Sequence, residues 1–236
     1  MYCFDTRIRY SEVDKAGRLT LPGLLNYFQD VCTFQAEDVG VGTLYLRENG
    51  LAWVLNAWQI DVVRQPVLCD RVEIATIPYE IRGILGYRNF YMKDIQTGEM
   101  LAVANSVWTM MDMKKLMPCR VSEKICKAYE LSEKLEMEYM GRKLKFTGEG
   151  IRKGEIPVRA HHLDTNSHVN NGQYVQMAMD FIPQGANIIR MRAEYKKSAV
   201  LGDVITPVVY VNDRTTGVAL TDGAEAVYAN VEFCTG

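Results

Sequence analysis

Two stretches of this chain recur in the same order, and a duplication limits the available folds more than any other feature. RYSEVDKAGRL, Arg9 to Leu19, lies over RAHHLDTNSHV, Arg159 to Val169, at a constant offset of 150, pairing Arg9 with Arg159, Asp14 with Asp164 and Arg18 with His168. WQIDVVRQPVLCD, Trp58 to Asp70, lies over MRAEYKKSAVLGD, Met191 to Asp203, at an offset of 133. This second match pairs Val67-Leu68 with Val200-Leu201 and Asp70 with Asp203. Each half is therefore expected to be one unit built to a common plan.

The first block of each copy ends where a helix should begin. Thr20 is placed to N-cap, Pro22 sits in the first turn, and Leu24, Leu25, Phe28, Cys32, Ala36 and Val39 recur at helical spacing until Gly40. In the second copy Asn170 or Asn171 caps, Tyr174, Val175, Ala178, Met179 and Ile182 follow, and Pro183 stops the run. Strand-like segments come next: Trp53 to Val63, Arg71 to Ile81, Leu85 to Ile95 and Met100 to Met111 in the first half. Ile188 to Lys197, Val204 to Val211, Thr216 to Leu220 and Ala224 to Phe233 are their counterparts in the second, with Asp222-Gly223 marking a hairpin. One long helix followed by an antiparallel sheet is an α+β unit. The boundaries read as 1–112 and 156–236, joined by a charged, irregular linker, 113–155, holding one short helix capped by Ser122.

With 236 residues, 48% of them apolar, the chain has the means to bury a real core. Its 27 basic and 29 acidic residues nearly cancel, which gives no general attraction to nucleic acid or an anionic membrane surface. Six scattered cysteines lack both zinc-site spacing and the density of a disulfide framework. No stretch reaches the ~20 apolar residues of a membrane span, and the start lacks a signal-peptide pattern. A cytoplasmic protein is the expectation.

All three histidines, His161, His162 and His168, fall within eight residues, beside Asp164, Asn166, Asn170 and Asn171. A polar loop with capping asparagines is one reading. A metal centre is disfavoured, because adjacent His161 and His162 on a strand would face opposite ways and nothing completes a ligand shell. The chemical reading places a carboxylate, an imidazole and amide donors at a helix N-terminus. Amides of the first helical turn can there hold a carbonyl oxygen as it becomes an oxyanion.

DTNSHVNNGQY, Asp164 to Tyr174, closely resembles the D-x-N-x-H-V-N-N-x-x-Y signature of the acyl-ACP thioesterases of plant plastids and bacteria, where ACP is acyl carrier protein. The likeness extends to the RYSEVD-to-helix block, the duplicated layout and the length. It implies two tandem hotdog domains, each a long helix wrapped by an antiparallel sheet, forming a pseudo-dimer. It also implies hydrolysis of the thioester of fatty acyl-ACP, with free fatty acid released, no metal and no cofactor. Asp164, Asn166 and His168 become the catalytic group, with Asp164 as base or nucleophile, Asn166 as a donor and His168 orienting or transferring a proton. Asn170 and Asn171 lie near the thioester.

One position departs from the family. Its E-Y-x-x-E segment reads Glu194-Tyr195-Lys196-Lys197-Ser198 here, and Glu194, four residues earlier on an extended strand, is roughly 13 Å from Ser198's place. Ser198 is then a candidate for positioning water. Opposite Asn166 and His168 the first copy has Ala16 and Arg18, so Asp14 is expected to be structural and the first domain to hold the acyl chain. Lys196 and Lys197, with Arg142, Lys143, Lys145, Arg152 and Lys153, are the candidate patch for an acidic carrier protein. An acyl-CoA thioesterase on the same fold and a non-enzymatic acyl-binding hotdog module remain as alternatives. A homodimer of such pseudo-dimers is compatible with all three.

Overall fold

Strand β1 (Tyr2–Arg7) alternates half-buried and exposed residues and leads, through a turn, to Thr20. Thr20 N-caps as expected: its Oγ1 accepts from the Gly23 N–H at 3.2 Å, with Pro22 in the first turn. Helix α1 (Leu21–Asp38) follows and buries Leu24, Leu25, Tyr27, Phe28, Val31 and Gln35. Gly40, at φ 73°, adopts the left-handed conformation beyond its end. The short α2 (Thr43–Glu48) was not anticipated, being too brief to show a period. β2 (Leu51–Val62), β3 (Arg71–Arg82), β4 (Leu85–Asp94) and β5 (Met100–Asp112) begin and end within two residues of the expected strands. The computed structural model describes residues 1–224 and 226–236, so Glu225, inside the expected last strand, lies outside the described residues.

The chain divides into two units, residues 1–55 with 60–139 and residues 56–59 with 140–236. In the first, the sheet order is β1-β3-β4-β5-β2, and β1/β3, β3/β4 and β4/β5 are antiparallel pairs. α1 lies against this sheet, with the Phe28 and Phe90 rings 5.3 Å apart. The first part of the expected linker is integral to this unit. After β6 (Met117–Pro118), α3 (Glu123–Ala128), capped by Ser122 Oγ on Ile125 N at 3.4 Å, buries Ile125 with Val41, Met110, Val121 and Tyr129. Leu135 N–H and Tyr139 Oη then donate to Asn89 Oδ1 at 3.0 and 2.9 Å. Its anchors, Ile125, Tyr129, Leu135 and Tyr139, are too widely spaced among charges to read as an element, but each fills a site on the sheet.

In the second unit β7 (Ile151–Arg152) and β8 (Ile156–Pro157) precede α4 (Asn171–Met179), and β9 (Ile188–Tyr195), β10 (Val204–Asn212), β11 (Thr215–Thr221) and β12 (Val227–Thr235) follow. The order is β9-β12-β11-β10-β7, with β8 on β10 as well. The described backbone bears the same plan twice, one helix against an antiparallel sheet, which is the hotdog fold. The segment before β7 is strapped to this sheet: Leu144 is buried and its N–H donates to Glu194 Oε2 at 3.0 Å, and Phe146 sits 5.2 Å from the Tyr210 ring. Gly217 makes room for it, since a Cβ there would stand 2.5 Å from the Phe146 ring.

Gly217→Ala should therefore destabilise the protein by ~1–3 kcal/mol, as overpacking does. Thermal unfolding checks this, and an unshifted Tm would mean that the strap does not pack on the sheet.

Candidate active site

Each matched block folds into one turn, made twice. A short 3₁₀ turn, Tyr10–Glu12 or Ala160–His162, comes first. The residue before it is tied to the turn's third side chain: Arg9 N–H donates to Glu12 Oε2 at 3.4 Å, and Arg159 N–H to His162 Nδ1 at 3.1 Å. The aspartate then holds the corner. Asp14 Oδ1 accepts from the N–H groups of Ala16 and Arg18 at 2.8 and 3.0 Å, and Asp164 Oδ1 from those of Asn166 and His168 at 2.8 and 3.2 Å. Such Asx bonding sets a turn without help from distant residues.

The second matched block receives the turn in both copies. Leu19 N–H donates to Pro66 O at 2.8 Å, and Val169 N–H to Ala199 O at 2.9 Å. Asp70 and Asp203 each accept, through Oδ2, the N–H of Val67 and Val200 at 3.0 and 2.9 Å. His168 consequently bridges to Val200, which brings Ser198 to the same edge as the DTNSHVNN loop. Asn166 and Ser198 are exposed, while Asp164, His168, Asn170 and Asn171 are half-buried.

Helix α4 starts here. Asn170, the cap, accepts from Gly172 N–H through Oδ1 at 2.8 Å and from Gln173 N–H through its carbonyl at 2.9 Å. Of the first three amides, this leaves the Asn171 N–H without a partner among the described residues, at the positive end of the helix dipole. Lys196 and Lys197 are exposed on the neighbouring segment, yet each lies near an acid, Glu194 at 3.6 Å and Asp222 at 3.9 Å.

The histidines separate by role. His161 and His162 do not face opposite ways as they would on a strand: they lie on a 3₁₀ turn with rings 4.2 Å apart. His162 is spent as a capping acceptor, and burial, with the charges of His161 and Arg159, lowers its pKa. Among the described residues no group of three or more His, Cys, Asp or Glu is arranged to hold a metal ion.

A tyrosine clamp is the feature that sequence reasoning missed. Tyr174, fully buried, accepts the Ala199 N–H on its Oη at 2.8 Å, and Tyr195 donates to Asn171 O at 3.1 Å. Burial pushes the Tyr174 phenol up to about 12. Its signal in the sequence is that Tyr174 ends the motif, at a spacing shared with the apolar helix positions.

Two hotdog units, with one polar constellation at the N-terminus of α4, define the class. Over residues 2–129 the sequence matches the acyl-ACP thioesterase N-terminal domain, and over 147–232 the acyl-ACP thioesterase C-terminal domain. The chain belongs to the acyl-ACP thioesterase family. It is 27% identical over 252 residues to an acyl-[acyl-carrier-protein] hydrolase, chloroplastic, of Cuphea viscosissima, covering 96% of this chain and 60% of that one. With the chloroplastic dodecanoyl-[acyl-carrier-protein] hydrolase of Cinnamomum camphora the identity is 25%, over 96% of this chain and 65% of that one. The chain thus spans only 60% of the length of the first of these relatives. Among solved structures, an acyl-ACP thioesterase from Bacteroides thetaiotaomicron superposes with a TM-score of 0.89 at 22% identity, covering 99% of this chain and 97% of that one. The 12:0-ACP thioesterase from Umbellularia californica gives 0.85 at 21%, covering 98% and 95%, so the fold is shared.

The two copies differ in what the turn costs. Gly17 and Ser167 occupy the same left-handed position, at φ 74° and 62°, which is free for glycine and strained for serine. Gly17→Ala, with nothing within 4 Å of the added Cβ, should cost ~1 kcal/mol from backbone strain alone. Ser167→Gly should not destabilise. Denaturant unfolding of both variants measures this, and a neutral Gly17→Ala would contradict the strained geometry.

Proposed function

We propose that this protein hydrolyses the thioester of a fatty acyl chain carried on acyl carrier protein and releases the free fatty acid. The observation that carries it is internal. One backbone turn occurs twice, each time at a helix N-terminus, and only the second copy bears Asn166 and His168 there. In the first, Arg18 stands 3.5 Å from the Asp14 carboxylate and ties up its charge. The names of the relatives support the acyl-ACP substrate.

In this reading the carbonyl oxygen of the thioester lies at the Asn171 N–H, with the Asn166 amide as a second donor. Asp164 takes a proton from water as its oxygen bonds to the carbonyl carbon, and His168 orients the water or relays the proton. The C–S bond breaks, the departing thiolate takes the proton, and the acid leaves. Ser198 borders the water's position. Glu194 takes no part, because its carboxylate is engaged by Leu144 N–H at 3.0 Å and Asn230 Nδ2 at 3.4 Å. No described helix is long and apolar enough to cross a membrane.

Asp164→Asn keeps the Oδ1 acceptor that holds the turn and removes the base. It should lower turnover of acyl-ACP at least ~100-fold with folding intact, as should His168→Ala, whereas Asp14→Asn should not. Near-normal turnover in both second-copy variants would remove the site from this loop.

The carrier is proposed to dock at the rim formed by Lys196 and Lys197, both more than 40% exposed in their side chains. The exposed Arg142, Lys143, Lys145, Arg152 and Lys153 belong to the same unit and extend the basic character. Reversing Lys196 and Lys197 to Glu should raise KM for acyl-ACP more than for acyl-CoA and weaken its salt dependence. Equal losses on both substrates would mean damage to the site instead, and no loss on either would retire the patch.

A further inference from the structure

The segments that follow β2 and β9 are held by the same backbone frame. Val63 and Arg64 N–H both donate to Leu101 O, at 2.9 and 3.1 Å, and Lys196 and Lys197 N–H both donate to Tyr228 O, at 2.8 and 3.2 Å. The offset of 133 is therefore a structural correspondence as well as a sequence one, and it sets Tyr195 opposite Val62 and Ala199 opposite Pro66. The offset of 150 sets Tyr174 opposite Leu24. Where the second copy joins Ala199 N–H to Tyr174 Oη, the first has neither end of the bond: proline has no N–H to give, and leucine no oxygen to receive one. Val62 likewise has no hydroxyl to match the one that Tyr195 donates to Asn171 O. The frame itself is kept, since Pro66 O and Ala199 O accept the N–H groups of Leu19 and Val169.

A bond needed only to hold the turn would be needed in both copies. The tyrosine pair stands only in the copy that carries Asn166 and His168, with its two rings 6.0 Å apart. Ala199 is fully buried, with its N–H on Tyr174 and its O on Val169. Its neighbour Ser198 and the bridge from His168 to Val200 are thereby held against α4, the helix to which Tyr174 belongs. Tyr195 grips the first turn of the same helix at Asn171. Placement of this kind has catalytic leverage, because a misplacement of about 1 Å costs up to ~100-fold in rate. We infer that Tyr174 and Tyr195 are positioning residues for thioester hydrolysis, an inference that rests on the proposed acyl-ACP reading. Neither touches the substrate. Tyr195 sets Asn171, whose N–H receives the thioester oxygen in that reading, and Tyr174 sets the segment bearing Ser198 against it.

Tyr195→Phe keeps the ring and removes only the donated hydrogen bond. Assayed on acyl-ACP well below its Tm, it should lower kcat ~10-fold and leave KM within about twofold, a split that mere loss of stability would not produce. Tyr174→Phe should lower Tm as well as kcat, because it strips the buried Ala199 N–H of its acceptor. Adding Ala199→Pro, the residue that the first copy uses, removes that N–H too. In this double variant Tm should recover while kcat stays at least ~10-fold down. Recovery of kcat together with Tm would overturn the inference, as would an unchanged kcat in Tyr195→Phe. Asp164→Asn and His168→Ala, measured on the same substrate, separate the two conclusions. If those variants keep turnover, the hydrolytic reading fails and this inference with it. If they abolish turnover while Tyr195→Phe leaves kcat unchanged, this inference alone fails.

Discussion

Both units are organised by one interaction, an aspartate carboxylate that accepts two backbone amides of its own loop. At Asp14 these bonds, Arg18 N–H foremost, hold the carboxyl below the usual carboxylate range. Charge-assisted bonds of this kind are worth ~1.5–3 kcal/mol each when sheltered and less at a half-exposed corner. Their larger effect is geometric. They aim the chain so that the next residues reach the segment that follows β2 or β9, at Pro66 or Ala199, and the cap residue after them starts a helix beside it. Changing the corner in either copy would misplace the helix start, and in the second copy the amide on which the proposed chemistry relies.

Because the corner is built from backbone and one carboxylate, the other side chains of the turn were free to diverge. The first copy took the undemanding choices: glycine at the left-handed position and an arginine that closes on the aspartate. The second carries a non-glycine residue in the left-handed region and places imidazole and amide groups where the arginine and alanine stood. Local strain retained in one of two otherwise equal turns is a recognised mark of a working site. The duplication thus acts as an internal control, with geometry held constant while chemistry changes.

The other buried polar groups divide between supports of the fold and one buried cation. Glu194, the most tempting acid near the departed family position, is consumed in fastening Leu144 to the sheet. Tyr174 and Tyr195 fasten α4 to the Ala199 segment, and burial raises both phenols, so they remain protonated donors or acceptors at any ordinary pH. In the first unit the corresponding burial of polar groups is around Arg88, where it leaves a cation among neutral partners instead of a closed network.

The repeat, the helix caps at Thr20 and Ser122, a second cap at Asn170 or Asn171, the strands β2 to β5 and β9 to β12 and the polar loop were legible in the sequence alone, because each rests on contacts within a few residues. The sequence pairs Asp14 with Asp164, and the structure shows that both carboxylates hold the same corner. What the sequence could not decide depends on residues far apart in the chain. That 113–139 joins the first unit follows from Ile125 meeting Val41 and from Asn89 receiving Leu135 and Tyr139. That His162 caps a turn while His168 stays open follows from the 3₁₀ conformation of Ala160–His162. That Tyr174 is a clamp, Glu194 a strap and Arg88 a buried cation follows from strand register and side-chain burial. Local hydrogen bonding is written in neighbouring letters, whereas the partner of a buried polar group is set by which strands lie side by side, and only the folded chain brings them there.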